Sequence, residues 1–317
     1  MSGHFLFIKK IFIFIKIKKI WKKPKKSKIL IYDHHFFEVI KKYFNSDEVE
    51  VYHNRFDETS SINFYIILKC FLNLDFQLKE KYKEEYFKFV DPKVVITFND
   101  NNPAFYLLKK NFPNIIFVAI QKSWKYDVEF DIVYKRHSLK KNSGYYCDYL
   151  FCYNKHVGEI YSQFISYKRI FVIGSFVSNS KKIEKNVDES IVFISQWRPY
   201  KKANTHFTGN FTFGDWRRNE IPFLTRLSEY LRKKSLKLKI IGKNTHSIES
   251  EKNFYKKIFN DNCTFIPQSY TRNHYKILDN SKLVISLEST LAYESLARGN
   301  RTIFFSIRSD NLNKFDM

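Results

Sequence analysis

From Lys28 onward, short runs of apolar residues alternate along the chain with longer amphipathic stretches. Most of these runs end at a polar residue or a glycine, which is typical of strands buried on both faces of a parallel sheet, and the stretches between them have helical spacing. The runs predict strands at Lys28–Asp33, Val49–His53, Lys93–Thr97, Ile115–Ile120, Asp148–Tyr153, Arg169–Ile173, Ile191–Ser195, Leu236–Ile241, Cys263–Ile266, Leu283–Ser286 and Thr302–Phe305. We therefore expect an α/β fold with parallel sheets covered by helices on both faces.

The alternation stops in the polar and aperiodic stretch 178–190, which reads SNSKKIEKNVDES. Such a stretch is typical of a linker, so we predict two Rossmann-like domains, 28–177 and 191–317, that face a central cleft. In the second domain the pattern predicts a helix of about 20 residues with Asp215 as its N-cap. Ligands of open parallel sheets bind beyond the carboxyl ends of the strands, so binding residues are expected in the loops that follow them.

Residues 1–27 are expected to form a separate leader that is both apolar and basic. Ten lysines and no acidic residue precede Asp33. The longest unbroken apolar run in the leader, Ile11–Ile15, is too short to span a membrane, and the interrupting lysines do not fit a signal peptide. Two interpretations stay open: a segment that lies on an anionic membrane surface, or a poorly ordered basic tail.

The composition excludes several classes of protein. Apolar residues make up 44% of the 317 residues, and the chain has only 8 Gly and 7 Pro, so it is neither disordered nor collagen-like. The formal charge is +23, but no nucleic-acid-binding motif accompanies it, so nucleic acid is not an expected partner. The four cysteines form no C-x-x-C pair and the histidines lack ligand spacing. We therefore expect no disulfide framework and no required metal, and reduced cysteines favour a cytoplasmic location.

The stretch Leu283–Gly299 (LVISLESTLAYESLARG) carries the sharpest chemical signal in the chain. A strand is followed by a turn with Ser289 and Thr290, and a helix that carries Glu294 begins near Thr290. Free N–H groups and the dipole at a helix start favour an anion, to which the two hydroxyls can add donors. The Glu294 carboxylate can accept hydrogen bonds from a ribose diol. The same residues also fit an ordinary helix cap, and the residues alone leave both interpretations open.

Two basic residues follow strands of the same predicted domain. Arg198 lies in the loop SQWRP after the strand Ile191–Ser195. Its guanidinium can bind donor phosphates through two hydrogen bonds, although a solvent-exposed loop arginine is an equal alternative. Lys243, directly after Gly242, is a second candidate for the phosphates.

The first predicted domain also carries polar residues at the ends of its strands. His34 and Asp100 are candidate general bases for an acceptor hydroxyl, and His35 offers the same chemistry. Asn99 and Gln121 are candidates for hydrogen bonds to an acceptor sugar. Asp100 also fits an N-cap or turn role before the next helix, and either histidine fits an ordinary loop position.

These segments resemble parts of bacterial surface-carbohydrate (O-antigen) biosynthesis proteins and, more broadly, of GT-B-type glycosyltransferases. The matching pieces are KKPKKSKILIYD, DPKVVITFNDNNPAFY, FVIGSFVSN and LVISLESTLAYESLARG, and the resemblance covers most of residues 22–306. It implies a second domain that holds the diphosphate and ribose of a nucleotide-sugar, a first domain that holds a lipid-linked or glycan acceptor, and no cofactor. Many retaining glycosyltransferases have a second Glu where this chain has Ser286, so the stereochemical outcome stays open.

The expected function is therefore transfer of a sugar from a nucleotide-sugar to a surface-glycan precursor, in the cytoplasm or at the inner face of the plasma membrane. A nucleotide-sugar epimerase and a non-catalytic carbohydrate-assembly protein of the same fold are the alternatives. GT-B-like domains normally continue beyond the strand predicted at Thr302–Phe305, whereas only Ser306–Met317 follow it here. We accordingly expect the last part of the second domain to be absent.

Overall fold

The computed structural model describes residues 17–34, 37–53, 61–72, 78–124, 144–186, 188–198, 206–208, 211–244, 247–268 and 274–307. The chain separates into two compact units, Met1–Val177 and Ser178–Met317. Each unit has its own parallel sheet and its own buried apolar core, which confirms the predicted α/β class. The predictions for residues 1–16, for His35 and for the tail from 308 onward lie outside the described residues.

The first unit is an α/β sandwich around a parallel sheet. Its strands are β1 (Lys18–Ile20), β2 (Ile29–Tyr32), β3 (Val49–Tyr52), β4 (Ser61–Asn63), β5 (Val94–Thr97), β6 (Ile116–Ile120), β7 (Tyr146–Cys152) and β8 (Ser166–Val172). Its helices are α1 (Phe37–Ile40), α2 (Phe64–Leu72), α3 (Leu78–Val90), α4 (Pro103–Asn111) and α5 (Lys155–Ser162), and α6 (Phe176–Asn179) crosses into the next unit. Among the described residues, the main sheet has the order β3-β2-β5-β6-β7-β8 with every pair parallel.

Residues 17–27, which the sequence assigned to a separate leader, pack on the first unit. Strand β1 pairs in parallel with β4, and Ile17 is only 2% exposed. The Ser27 N–H donates a hydrogen bond of 3.2 Å to the carbonyl of Val90 at the end of α3. The folded first unit therefore includes residues that precede Lys28.

The second unit repeats the alternation of strands and helices. Its elements are β9 (Ile191–Ile194), β10 (His206–Thr208), β11 (Phe211–Thr212), α7 (Phe213–Lys233), β12 (Leu238–Ile241), α8 (Ile248–Phe259), β13 (Cys263–Ile266), α9 (His274–Asp279), β14 (Leu283–Ser286), α10 (Thr290–Ala297) and β15 (Thr302–Phe304). The described strands of the main sheet have the order β13-β12-β9-β14-β15, again all parallel. Strands β10 and β11 form a separate antiparallel pair and were not among the strands predicted from the sequence.

Strand β9 shows why the strands appear in the sequence as continuous apolar runs. All four of its residues are buried, because helices cover both faces of the sheet. Phe193 packs with Trp216 on one face, whereas Val192 and Ile194 pack with Leu278 on the other. Full burial of each such side chain contributes about 1.5–3 kcal/mol, so a polar residue anywhere in this strand would be costly.

Helix α7 begins differently from the sequence-based prediction. Its N-cap is Thr212, and Asp215 is the third helical residue. The Thr212 hydroxyl accepts a hydrogen bond of 3.2 Å from the Asp215 N–H, and the Asp215 carboxylate accepts one of 3.0 Å from the Thr212 N–H. The assignment of Asp215 as N-cap was therefore wrong: the two residues form a reciprocal capping box.

None of the described helices is long and apolar enough to cross a bilayer.

Candidate functional site

The strand order of the second unit creates one place where polar loops converge. After β9 the chain moves outward to β12 and β13, and it then returns to build β14 on the other side of β9. The loops after β9 and β14 therefore leave the sheet in opposite directions and open a crevice at their carboxyl ends. Arg198 lies in the first of these loops, and the Ser289–Thr290 turn lies in the second.

The turn after β14 leads directly into α10. Ser289 is the N-cap residue of this eight-residue helix, but its hydroxyl makes no capping hydrogen bond to the described chain. Instead, the Ser289 N–H donates a hydrogen bond of 3.3 Å to the hydroxyl of Ser286. The Ala292 N–H donates to the Ser289 carbonyl at 2.9 Å, so the helix start offers an anion the Ser289 hydroxyl and the N–H groups of Thr290 and Leu291.

Glu294 lies one turn into α10 and is 6% exposed. The Tyr275 hydroxyl on α9 donates a hydrogen bond of 2.7 Å to its Oε2 atom. This contact fixes the orientation of the carboxylate. Tyr275 was not among the residues selected from the sequence, because a tyrosine in a short helix gives no local signal of such a contact.

Lys243 lies directly after β12, on the other side of β9. Its ammonium group donates a hydrogen bond of 2.8 Å to the Oε1 atom of Gln196, which follows β9. Burial, and after it the positive charge of Arg198, lowers the pKa of Lys243 to about 8, while Glu251 and Glu288 act in the opposite direction. Burial and a neighbouring positive charge both disfavour the charged form of an ammonium group.

The carboxylate of Glu251 on α8 bonds to two loops: the loop after β9, which carries Arg198, and the loop after β12, which carries Lys243. It is 0% exposed, and its Oε1 atom accepts hydrogen bonds from the Ser195 hydroxyl and, at 2.9 Å, from the Lys243 N–H. Its Oε2 atom accepts bonds of 3.0 and 2.9 Å from the backbone and side-chain nitrogens of Asn244, whose side chain also donates to the Trp197 carbonyl at 3.0 Å. One buried side chain thus holds the backbone after β9 and after β12.

The sequence did not single out Glu251. An acidic residue in the first turn of a helix is usually explained by the helix dipole, so its position alone indicates no further role. Gly242 lets the loop that carries Lys243 lie close to β13. A Cβ atom on Gly242 would lie 2.6 Å from the Phe265 ring, so a larger residue there would force this ring to shift.

The first unit has a similar reversal between β2 and β5. Here Asn99 donates a hydrogen bond of 3.4 Å to Asp33, and the Nδ1 atom of His34 lies 3.7 Å from the other Asp33 oxygen. The His34 ring stacks on His53 with ring centroids 4.5 Å apart. Asp33 is 1% exposed and has a φ of 112°, a strained conformation for a residue other than glycine. The structure therefore brings His34 and Asn99 together around Asp33.

Asp100 and Gln121 are used inside the first unit. Asp100 is 1% exposed, and its two carboxylate oxygens accept hydrogen bonds from the Tyr161 hydroxyl and, at 3.1 Å, from the Lys122 N–H. Gln121 is 3% exposed, and its side chain accepts a bond of 2.8 Å from the Tyr153 N–H. The structure thus places both side chains in contacts between β5, β6, β7 and α5, and not in the group around Asp33.

A family whose members are described as "putative O-antigen biosynthesis protein" matches residues 118–317, which is more than half of the chain. The chain belongs to this family. The match begins in β6 and includes the whole of the second unit. No curated protein matches the sequence of this O-antigen biosynthesis family member.

Among the solved structures that are similar in fold to this chain are two that were solved with nucleotide or nucleotide-sugar ligands. The UDP-GlcNAc 2-epimerase from Neisseria meningitidis, bound to UDP-GlcNAc, has a TM-score of 0.50 and 11% identity, and the match covers 88% of this chain and 83% of that one. The HepE protein of Anabaena, in complex with UDP and glucose, has a TM-score of 0.50 and 9% identity, with 88% and 80% covered. At these identities the similarity is one of fold, and the predicted GT-B-like class is confirmed.

A further match is to a longer protein. The chain covers 44% of the matched chain of the GtfA/B complex, with 72% of its own length aligned, 14% identity and a TM-score of 0.36. In the part of the chain that the structure describes, no three His, Cys, Asp or Glu side chains are grouped as a metal site.

Proposed function

We propose that this protein is a glycosyltransferase that moves a sugar from a nucleotide-sugar to a lipid-linked or glycan precursor of a surface polysaccharide. The observation that carries the proposal is the crevice of the second sheet, where Arg198, Lys243 and the start of α10 follow neighbouring strands. Membership of the O-antigen family supports the polysaccharide assignment. The two similar folds were solved with UDP-GlcNAc and with UDP and glucose, which supports a nucleotide-sugar as donor.

In this proposal the donor diphosphate lies at the start of α10. The N–H groups of Thr290 and Leu291 and the Ser289 and Thr290 hydroxyls donate to one phosphate. Arg198 and Lys243 neutralise the remaining charge, and a bound diphosphate would favour the protonated form of Lys243. As the nucleoside diphosphate leaves, negative charge grows on its terminal phosphate, and the same groups stabilise that charge.

Glu294 is proposed to bind the ribose of the donor. Its carboxylate is held by Tyr275 and can accept hydrogen bonds from the two ribose hydroxyls. This role gives the site a preference for ribonucleotides over deoxyribonucleotides.

The first unit is proposed to hold the acceptor and the general base. The acceptor hydroxyl attacks the anomeric carbon of the donor sugar, the bond from that carbon to the phosphate oxygen breaks, and the nucleoside diphosphate leaves with the electron pair. His34 takes the hydroxyl proton, and Asp33 stabilises the charge that the imidazole gains. Asn99, whose amide donates to Asp33, is proposed to bind an acceptor hydroxyl through its carbonyl oxygen. Asp100 and Gln121 are given no chemical role here.

The test has a binding step and a turnover step. Thermal or urea unfolding is measured with UDP, ADP, GDP and CDP, because a ligand at about 100 times its dissociation constant adds about 2.7 kcal/mol to the free energy of unfolding. Release of nucleoside diphosphate from the matching nucleotide-sugar is then followed with and without a lipid-linked glycan acceptor. Stabilisation by a nucleoside diphosphate and acceptor-dependent release are expected. If no nucleoside diphosphate stabilises the protein, the donor site is wrong.

The likeness to a 2-epimerase favours a second candidate, a nucleotide-sugar epimerase. An epimerase would convert its substrate without an acceptor, and the product would remain a nucleotide-sugar. A non-catalytic carbohydrate-assembly protein would bind the nucleotide-sugar and leave it unchanged. Analysis of the nucleotide-sugar by mass and by NMR, with and without acceptor, separates these three outcomes.

We also propose that the protein works in the cytoplasm at an anionic membrane surface, through residues 1–27. Ten lysines without an acidic residue precede Asp33, and those at 18, 19, 22, 23, 25 and 26 are exposed. A lipid-linked acceptor would be met at such a surface.

A further inference from the structure

The three most exposed large apolar side chains in the described residues lie on one surface of the first unit. Trp21, Leu68 and Phe71 have 71%, 58% and 60% of their surface exposed. Phe64, Leu68 and Phe71 are four and three residues apart along α2, so they share one side of that helix. The Trp21 ring contacts the Phe64 ring, with centroids 4.7 Å apart. We call these four side chains the α2 face.

The α2 face is not needed to attach α2 to the first unit. Ile66 and Cys70, on the other side of the helix, are 0% exposed and belong to the core. The Asn63 side chain accepts a hydrogen bond of 3.2 Å from the Ile66 N–H and donates one of 2.9 Å to the carbonyl of Lys22. Trp21 and α2 are therefore held together by the fold, and contiguous apolar surface of this kind marks an interaction site.

Exposed lysines lie beside the α2 face. They are Lys18, Lys19, Lys22 and Lys23 in the adjoining segment. The Lys23 ammonium lies 5.3 Å from the centroid of the Tyr65 ring, and Tyr65 is the neighbour of Phe64 in α2. Lys69 in α2 is paired at 3.2 Å with the buried Glu85, which also pairs with Lys88. An apolar strip with lysines at its border fits a partner that is apolar within and anionic at its surface.

We propose that the α2 face inserts into the surface of an anionic phospholipid bilayer. Trp21, Leu68 and Phe71 lie at the boundary between headgroups and acyl chains, and the four neighbouring lysines contact the headgroups. This inference rests on the membrane part of the proposed function and extends it. Residues 1–27 supply the charge and the Trp21 ring, whereas helix α2 supplies the rest of the apolar anchor and sets the orientation.

The charges argue against two other occupants. A second copy of the chain would bring the same lysines against each other in a two-fold interface, which is unfavourable. Residues 1–16 carry Lys9, Lys10 and Lys16 and no acidic residue, so their charge has the same sign as that of the border. An anionic bilayer is complementary to the lysines and to the apolar side chains at once.

Sedimentation of the full-length protein with vesicles tests the proposal. Vesicles of phosphatidylcholine alone are compared with vesicles that also contain phosphatidylglycerol, at low and high salt. The face variant is L68S/F71S, the leader variant is K9Q/K10Q/K16Q, and the matched control is I183S/Y230S, which removes two exposed apolar side chains from the second unit. Circular dichroism confirms that each variant is folded.

We expect the face variant to lose about tenfold or more in partitioning to the phosphatidylglycerol vesicles, and the control to lose little. Trp21 fluorescence should shift to shorter wavelength on vesicle binding, and this shift should be absent in W21F. The face proposal is overturned if the face variant binds as the wild type does. If the face variant binds as the wild type does and the leader variant loses binding, the leader binds the membrane and the α2 face does not. A wild-type dimer that L68S/F71S converts to a monomer would show that a second copy covers the face. Nucleotide binding, measured in parallel, reports on the donor site separately.

Discussion

The backbone N–H of Lys243 donates a hydrogen bond of 2.9 Å to the carboxylate of Glu251, whose side chain has no solvent exposure. The same carboxylate accepts a hydrogen bond from Ser195 at the end of β9. The place of Lys243 is therefore set by a buried acid on the following helix and by the neighbouring strand together. A role for Lys243 in phosphate binding depends on this contact.

Replacing Glu251 is expected to destabilise the second unit. Glu251→Ala removes the acceptor of several buried donors, and we expect the free energy of unfolding to fall by about 3 kcal/mol or more. Glu251→Gln keeps one acceptor oxygen but turns an N–H₂ group toward the donors, so an intermediate loss is expected. Urea unfolding measures both. Glu249→Ala, on the exposed side of the same helix, is the control, and equal stability of Glu249→Ala and Glu251→Ala would contradict the role given to Glu251.

The binding of nucleoside diphosphate should depend on the protonation of Lys243. Because burial and Arg198 lower the pKa of Lys243 to about 8, the free protein loses this charge just above neutral pH. We expect the affinity for UDP, or for whichever diphosphate binds, to fall about tenfold from about pH 7 to about pH 9. Calorimetric titration across this range measures the effect. Lys243→Met should bind more weakly and should lack the pH dependence, and a wild-type profile as flat as that of the variant would exclude the lysine from the site.

The same lowered pKa has a consequence for stability without ligand. Between the folded pKa of about 8 and the ordinary value of 10.5, the unfolded chain binds more protons than the folded one. The contribution of Lys243 to stability is therefore fully present above about pH 10.5, and it is lost as the pH falls through about 8. The free energy of unfolding of the wild type minus that of Lys243→Met should accordingly rise as the pH is raised from about 8 to about 10.5. A difference that stays constant with pH would disagree with the lowered pKa.

Glu294 is expected to determine recognition of the ribose. Glu294→Ala should weaken binding of a nucleoside diphosphate by about 1–3 kcal/mol, the scale of a lost charged hydrogen bond. The variant should also lose the preference for the ribonucleotide over its 2′-deoxy analogue. Tyr275→Phe removes the hydrogen bond to Glu294 but keeps the carboxylate, so it should weaken binding less. Unchanged affinity in a folded Glu294→Ala protein would remove this residue from the donor site.

His34 is expected to affect turnover and not donor binding. Loss of a general base lowers the rate by about 10²–10⁴-fold, so His34→Gln should show this loss in sugar transfer while its affinity for the nucleoside diphosphate is unchanged. The exposed His156 on α5 provides the control variant His156→Gln. Transfer by His34→Gln at the rate of the control would show that the base is elsewhere.

A buried ion pair between Arg298 and Asp279 holds the segment that follows the unit boundary. Arg298 is 6% exposed and donates a hydrogen bond of 2.8 Å to Asp279 from its Nε atom, and its terminal nitrogens donate to the carbonyls of Ser178, Lys181 and Lys182 at 3.0–3.1 Å. Arg298→Met leaves Asp279 buried without its main partner, so we expect a loss of about 3–5 kcal/mol in urea unfolding. The exposed Arg301→Met is the control. The double variant D279N/R298M should be more stable than Arg298→Met alone, and additive losses would argue against the pair.

Local signals made part of the fold predictable. Helix α4 begins at Pro103 because proline suits the first helical position, and the Asn102 side chain caps the N–H of Ala104. The strands were visible because burial on both faces makes each of them a continuous apolar run. The start of α7 was less certain from sequence, since Thr212 and Asp215 are both good capping residues and only their reciprocal hydrogen bonds decide between them.

The sequence by itself determined the strands of the two main sheets, the α/β class and the candidate residues at the strand ends. The tertiary structure decided which of those residues come together. His34 and Asn99 meet around Asp33 because β2 and β5 are neighbours in the sheet, whereas Asp100 is occupied by Tyr161, which is 61 residues away along the chain. Glu251 likewise reaches Ser195, 56 residues before it. Periodicity and capping depend on residues a few positions apart, but the partner of a buried polar side chain depends on strand order, and strand order follows from the packing of the whole unit.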